Sequence, residues 1–282
     1  MIVAGAAVQG TGHLAAAQGC QDAFKAADLG DTVVLAVADG AGGRERSALG
    51  AHIAVDTACR VLAEDVPDVL EPPEAWTRWI AAGGARLVAG YLGAVEGLLR
   101  AAGPPTAAGP PIPAGQPVDT GALAATVAAA VVRPPWAAFV SVGDCFGTVL
   151  TREAAGGGPA PDVVERCHLV LPPPGPGAPE PVFLSSPGAA LRVRSFVVWE
   201  PRLSGVVLAT DGCAALALDH PSVRELPPQA GPLPSARFFC GLAATLRAGG
   251  GDAEPLRALL SGPEAARTGD DLTVLCALVD GG

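Results

Sequence analysis

Four aspartates stand where apolar, valine-rich runs begin or end. Asp39 follows Val33–Ala38, Asp144 follows Ala137–Gly143, and Asp211 follows Val206–Thr210, while Asp270 opens the run Asp271-Leu272-Thr273-Val274-Leu275. Short, continuous, β-branched runs read as buried strands. A carboxylate at the end of such a strand is costly unless something neutralises it. In an antiparallel pair the C-terminal end of one strand lies beside the N-terminal end of its neighbour, so Asp270 can share an edge with Asp211. Asp22, just before Ala23-Phe24, can join them. That many like charges on one rim repel strongly unless cations lie between them. Oxygen-only ligation suits Mg²⁺ or Mn²⁺, and none of the four histidines is spaced to favour zinc. A pair of such ions would activate a water and stabilise charge developing on a phosphoryl group. Asp39-Gly40 taken alone reads most simply as an ordinary turn. Four aspartates at strand termini, each beside a glycine, are harder to dismiss.

The elements that must position these acids follow from the pattern. Residues 2–9 and 32–38 read as strands. A helix should begin near Ser47 as N-cap, with Ala51, Val55, Ala58 and Leu62 forming one apolar stripe. Pro72-Pro73 breaks the chain, and a second helix follows from Glu74 to Arg100. Its stripe is Trp76, Ile80, Gly84, Leu87, Tyr91, Val95 and Leu98. At this spacing Trp76 and Tyr91 are read as core rather than a binding surface. The Gly83-Gly84 pair predicts a kink or a close helix contact. Strands are expected at Leu123–Val132, Trp136–Val142, Phe146–Thr151, Val163–Leu171, Val193–Trp199, Gly205–Thr210 and Leu272–Val279, with helices at Ser235–Arg247 and Glu254–Leu260. The Ala/Gly/Pro-rich stretch 101–118, Glu153–Pro161 and the proline-rich Pro172–Pro181 are expected to be surface loops. The order implies an α+β layout of antiparallel sheets with helices packed outside, one domain over residues 1–282.

Bulk composition narrows the function classes. Half of the 282 residues are hydrophobic and 16% are charged, which fits a folded globular chain rather than disorder. The net charge of −10 argues against a nucleic-acid partner, which needs basic patches. The seven cysteines form no CxxC pair and are odd in number, so neither a zinc site nor a disulfide framework is expected, and a reducing, cytoplasmic setting follows. No Lys or Arg precedes Lys25, and Gln9, Gly10 and Gly12 interrupt the apolar start, so no signal peptide is expected. No run approaches the ~18 apolar residues of a membrane helix.

Taken in order, Gln21-Asp22-Ala23, Asp39-Gly40-Ala41-Gly42-Gly43, Val142-Gly143-Asp144, Ala209-Thr210-Asp211-Gly212 and Asp270-Asp271-Leu272-Thr273-Val274 resemble the motifs of the metal-dependent serine/threonine protein phosphatases, often called type 2C. The opening around Cys20-Gln21-Asp22 is similar to a bacterial branch with an atypical N-terminal motif. The resemblance implies a four-layer α-β-β-α fold, a β-sandwich flanked by pairs of antiparallel helices, with a two-metal centre of Mn²⁺ or Mg²⁺ at one end. It implies that Asp39 bridges both ions, that the Gly40 carbonyl binds one, and that Asp211 and Asp270 complete the centre. Asp22 would act through metal-bound water, and Asp144 with Asp211 would hold a third, weaker ion. The implied activity is direct attack of metal-activated water on phosphoserine or phosphothreonine of a protein substrate, without a phosphoenzyme. A cognate serine/threonine kinase is the implied partner.

Two departures bear on substrate binding. The family's phosphate-gripping arginine, which forms two parallel hydrogen bonds, aligns with Ala17 here, and Cys20 stands where Asn is common. Arg44, Arg46 and His13 are the candidate substitutes, against a plainer reading as helix-start surface charges and a loop histidine. Phe146 also stands where an arginine often follows the Gly-Asp pair. The missing arginine raises a second reading, a catalytically weak phosphatase-like module that binds a kinase or phosphoprotein. A third, hydrolysis of a small phosphoester, stays open, although the absence of a Gly-Lys-Ser/Thr motif argues against a nucleotide P-loop.

Overall fold

The computed structural model describes residues 1–44, 46–102, 118–155, 162–175 and 181–279. Two five-stranded antiparallel sheets carry the fold. The first runs β2 (Asp22–Asp28), β3 (Val33–Asp39), β4 (Val127–Arg133), β5 (Trp136–Val142) and β8 (Arg194–Trp199). The second runs β1 (Ile2–Val8), β12 (Leu272–Leu278), β9 (Leu203–Ala209), β6 (Phe146–Ala155) and β7 (Asp162–Leu171). Between the sheets, Val33, Leu35, Val37 and Phe139 of one meet Val149, Val206, Leu208 and Leu275 of the other in an apolar core.

Each outer face is covered by helices. On the first sheet lie α2 (Ser47–Leu62) and α3 (Pro73–Ala102), burying Ala51, Val55, Ala58, Leu62, Trp76, Ile80, Leu87 and Tyr91 against β3–β5. On the second lie α5 (Ala236–Ala248) and α6 (Glu254–Leu260), burying Phe239, Leu242, Leu246, Leu256 and Leu260 against β1, β9 and β12. The expected α-β-β-α order of layers is therefore present. Short helices α1 (Thr11–Ala15) and α4 (Ala214–Ala217) and a two-stranded pair, β10 (Leu218–Asp219) with β11 (Leu233–Pro234), complete the elements. Among the described residues, no helix is long and apolar enough to cross a membrane.

Trp76 and Tyr91 are core residues. Trp76 stacks on Trp136 with ring centroids 5.3 Å apart, and the Tyr91 hydroxyl donates to the Leu123 carbonyl. The α3 stripe ends on Leu99, which is buried, rather than Leu98, which packs only partly. The glycine pair serves close contact within an uninterrupted helix. A Cβ on Gly84 would lie 2.7 Å from Val193 Cγ1 and 3.0 Å from Val140 Cγ2, β-branched side chains with little freedom to move. Gly84→Ala is therefore expected to destabilise the fold by about 1–2 kcal/mol, overpacking outweighing a propensity gain of about 1 kcal/mol. Urea denaturation with an unchanged m-value checks it.

Several boundaries differ from expectation. The stretch before β4 is not a strand from Leu123. Asp119 accepts a hydrogen bond from the Gly121 N–H and starts a short 3₁₀ turn at Thr120–Leu123. Strand β6 continues through Ala155, because its partner β7 pairs with it as far as Asp162. The cap of α2 is Arg46, and the Ser47 hydroxyl donates back to the Arg44 carbonyl. Most of the 101–118 stretch and residues 176–180 of the proline-rich stretch lie outside the described residues.

Candidate metal centre

The acidic residues gather where the two sheets' strand ends meet. Asp22 opens β2 directly opposite Asp39, which closes β3. Asp144 sits in the turn between β5 and β6, and Asp211 follows β9. Asp270 precedes β12, whose Val274 pairs with Ala209 at the end of β9. One carboxylate oxygen from each of Asp39, Asp144 and Asp211 lies within 4.8 Å of the others. Asp22 and Asp270 are close enough for their charges to act on Asp39.

Local bonds hold these groups in place. The Thr126 N–H donates to the Asp39 carbonyl at 2.8 Å, and the Gly40 N–H donates to the Gln21 carbonyl at 3.1 Å, joining β4, β3 and β2 beside the site. Only glycine fits at position 40, since a Cβ there would lie 2.6 Å from the Ser47 carbonyl group at the start of α2. The Thr210 hydroxyl donates to Asp22 Oδ2 at 2.7 Å and accepts from the Thr273 N–H at 3.1 Å, so β12 and β9 together orient Asp22.

Electrostatically the cluster is short of positive charge. Burial raises Asp39 far above the usual carboxylate range, and the charges of Asp22, Asp211, Asp144 and Asp270 raise it further. Burial likewise raises Asp22, against a lowering by the Thr210 hydroxyl. Asp144 is raised by burial, and Asp211 is pushed up to about 6 by burial and then by Asp144 and Asp270. Asp144 Oδ1 is buried without a hydrogen-bond partner. A convergent, oxygen-only donor set with an orphaned carboxylate oxygen fits hard divalent cations.

This arrangement has a thermodynamic consequence. A raised carboxyl pKa means that the charged form costs folding stability; the cost is present above the folded pKa and gone below the unfolded one. For Asp211 that window runs from about 6 down to its ordinary 3.8. Metal-free protein is expected to melt higher as pH falls from about 7 to about 5, whereas with saturating manganese the order reverses because protons compete with the ion. Paired thermal melts in EDTA and in manganese at the two pH values check the sign.

The candidate phosphate ligands are placed differently. His13 Nδ1 lies 2.9 Å from Asp271 Oδ2, with a mostly buried side chain. Arg44 is exposed, and among the described residues neither Arg44 nor Arg46 makes an ion pair. The structure therefore brings the acids together without seating either arginine on them. Two contributors went unrecognised as such from sequence. Buried Asp271 accepts from the Gly10 and Gln21 N–H groups, both at 2.6 Å, tying α1 and the start of β2 to the start of β12. Arg194, far away in sequence, lies beside Asp144.

A two-sheet sandwich with helices on both faces thus brings its acids together at the strand ends, a donor set that suits divalent cations. The family model described as protein phosphatase 2C matches residues 9–261. The chain belongs to the protein phosphatase 2C family, the metal-dependent serine/threonine phosphatases. Solved structures agree in fold. The serine/threonine phosphatase Stp1 from Staphylococcus aureus is 12% identical with a TM-score of 0.53, covering 100% of this chain and 96% of that one. The serine/threonine phosphatase of S. agalactiae is 14% identical with a TM-score of 0.56, covering 98% and 99%. The Mycobacterium tuberculosis serine/threonine phosphatase PstP/Ppp is 14% identical with a TM-score of 0.52, covering 99% and 100%. No curated protein matches the sequence.

Proposed function

We propose that this protein removes phosphate from phosphoserine and phosphothreonine side chains of protein substrates with Mn²⁺ or Mg²⁺ held by the acidic strand ends. The observation that carries the reading is the convergence of Asp39, Asp144 and Asp211 within 4.8 Å. Asp39, Asp211 and Asp270, with Asp22 and the Gly40 carbonyl, would hold two ions, and Asp144 with Asp211 a third. Bound divalent ions supply Lewis acidity, which lowers the pKa of a water and offsets charge on the phosphoryl oxygens. The chain's own part is to fix the donors before substrate arrives. Thr210 orients Asp22, Thr126 anchors the backbone of Asp39, and Gly40 lets the start of α2 approach the site. His13, Arg44 and Arg46 remain the candidate phosphate ligands, and of these His13 lies beside the acidic motifs, its Nδ1 2.9 Å from Asp271 Oδ2.

The reading extends to the whole chain as one domain, since β1 near the start pairs along its length with β12 near the end. Its substrate would be supplied by a serine/threonine kinase, and its seven free cysteines suit a reducing, cytoplasmic compartment. The test is hydrolysis of p-nitrophenyl phosphate and of phosphoserine and phosphothreonine peptides with and without manganese. Metal-dependent release of phosphate from the peptides is expected. Binding of the peptides without turnover at saturating manganese would contradict the reading.

A further inference from the structure

Arg194 opens β8 and is paired in register with Ser141 near the end of β5. Its guanidinium reaches three acceptors on two stretches of chain, the end of β5 with the turn after it and Pro172 just past β7. Nε donates to Ser141 Oγ at 3.1 Å, Nη2 to the Gly143 carbonyl at 3.1 Å, and Nη1 to the Pro172 carbonyl at 2.8 Å. Two of these acceptors, Ser141 and Gly143, lie just before Asp144 and lead into the turn that presents it. That turn needs fixing, because Gly143 holds φ at +103°, a conformation that other residues rarely adopt. Its other side is closed by Thr126, whose side chain would lie 2.5 Å from a Cβ on Gly143. The Thr126 N–H in turn donates to the Asp39 carbonyl. The turn carrying Asp144 is thus held between an arginine fork and a residue bonded to Asp39. The Asp144 carboxylate meanwhile keeps one buried oxygen free of hydrogen bonds.

We propose that Arg194 is a positioning residue for the metal centre: its fork locks the Gly143–Asp144 turn so that the Asp144 carboxylate faces Asp39 and Asp211 before a cation binds. Outer partners that orient metal ligands in this way carry a large share of a site's affinity. The fork geometry matters as well as the charge, since lysine is a point charge on a flexible stem and cannot hold three fixed acceptors. The inference rests on the metal reading of the acidic cluster and adds to it a residue from the opposite edge of the first sheet.

The test is calorimetric titration of manganese into the wild type, Arg194→Ala, Arg194→Lys, Asp144→Asn and the Arg194→Ala/Asp144→Asn double variant, with circular dichroism to show that each keeps the wild-type fold. Arg194→Ala is expected to weaken by about 10–100-fold the same manganese site that Asp144→Asn weakens. The double variant should bind no more weakly than Asp144→Asn alone, because the arginine acts through the aspartate. Arg194→Lys should lose about tenfold, and it carries the comparison if the alanine variant does not fold. Wild-type affinity in the Arg194 variants, or losses that simply add in the double variant, would overturn the proposal. So would a raised KM for p-nitrophenyl phosphate with unchanged manganese affinity, which would make Arg194 a phosphate contact. No manganese binding by the wild type sinks the metal reading and this inference together; equal binding by wild type and variants sinks this inference alone.

Discussion

Asp39→Asn is expected to abolish metal-dependent hydrolysis while raising the melting temperature of the metal-free protein. Asp39 is where the negative charges of the other four acids act together. Without a cation, its charge is opposed both by burial and by its neighbours. Removing that charge relieves the repulsion at the strand ends, a gain on the order of 1 kcal/mol, or a few degrees in Tm. The same change removes a carboxylate from the proposed two-ion centre, and a loss of at least about 100–1,000-fold in kcat is expected. Function and stability thus move in opposite directions, as they do where a site stores unfavourable interactions. Melting curves in EDTA and initial rates in manganese measure both. A variant that is less stable than the wild type in EDTA would show that the acidic cluster is not the strained feature described above.

Asp271→Ala is expected to have the largest effect on the fold among the residues near the site. Its carboxylate, almost wholly buried, accepts two short hydrogen bonds from the Gly10 and Gln21 backbone and lies beside His13. Alanine leaves both buried N–H groups without an acceptor, at about 1–3 kcal/mol each. The sum of roughly 2–6 kcal/mol corresponds to a fall in Tm on the order of 10 °C. Gln21 immediately precedes Asp22, and Asp270 immediately precedes Asp271, so manganese affinity should weaken too. Asp271→Asn keeps one acceptor oxygen and is expected to lose about half as much. Differential scanning calorimetry separates the two variants.

Much of this was legible because strand ends and carboxylates coincide. The valine-rich β3 leading into Asp39-Gly40, and β9 leading into Asp211, are continuous apolar runs that can hardly be anything but buried strands. Asp270 before β12 then fell on the same edge by antiparallel geometry alone. Strand β2 was harder. Its sequence Asp-Ala-Phe-Lys-Ala-Ala-Asp lacks β-branched residues, and it lies at the edge of its sheet, where the pairing with β3 rather than intrinsic preference makes the strand. The short α1 has no side-chain cap to announce it. Arg194 carries no local signal at all, since it reaches Ser141 across 53 positions through the pairing of β5 with β8. Where an arginine following the Gly-Asp pair was missing at Phe146, the fold supplies a guanidinium at the same turn from another strand. Arg44 and Arg46 show the converse: closeness in sequence to Gly42-Gly43 did not bring either into an ion pair with the acids.

The most direct measurement is an anomalous difference map from crystals grown with manganese, recorded near the manganese absorption edge. The account predicts strong peaks within coordination distance of the Asp39, Asp144 and Asp211 carboxylates. Peaks elsewhere, or none at saturating manganese, would contradict it.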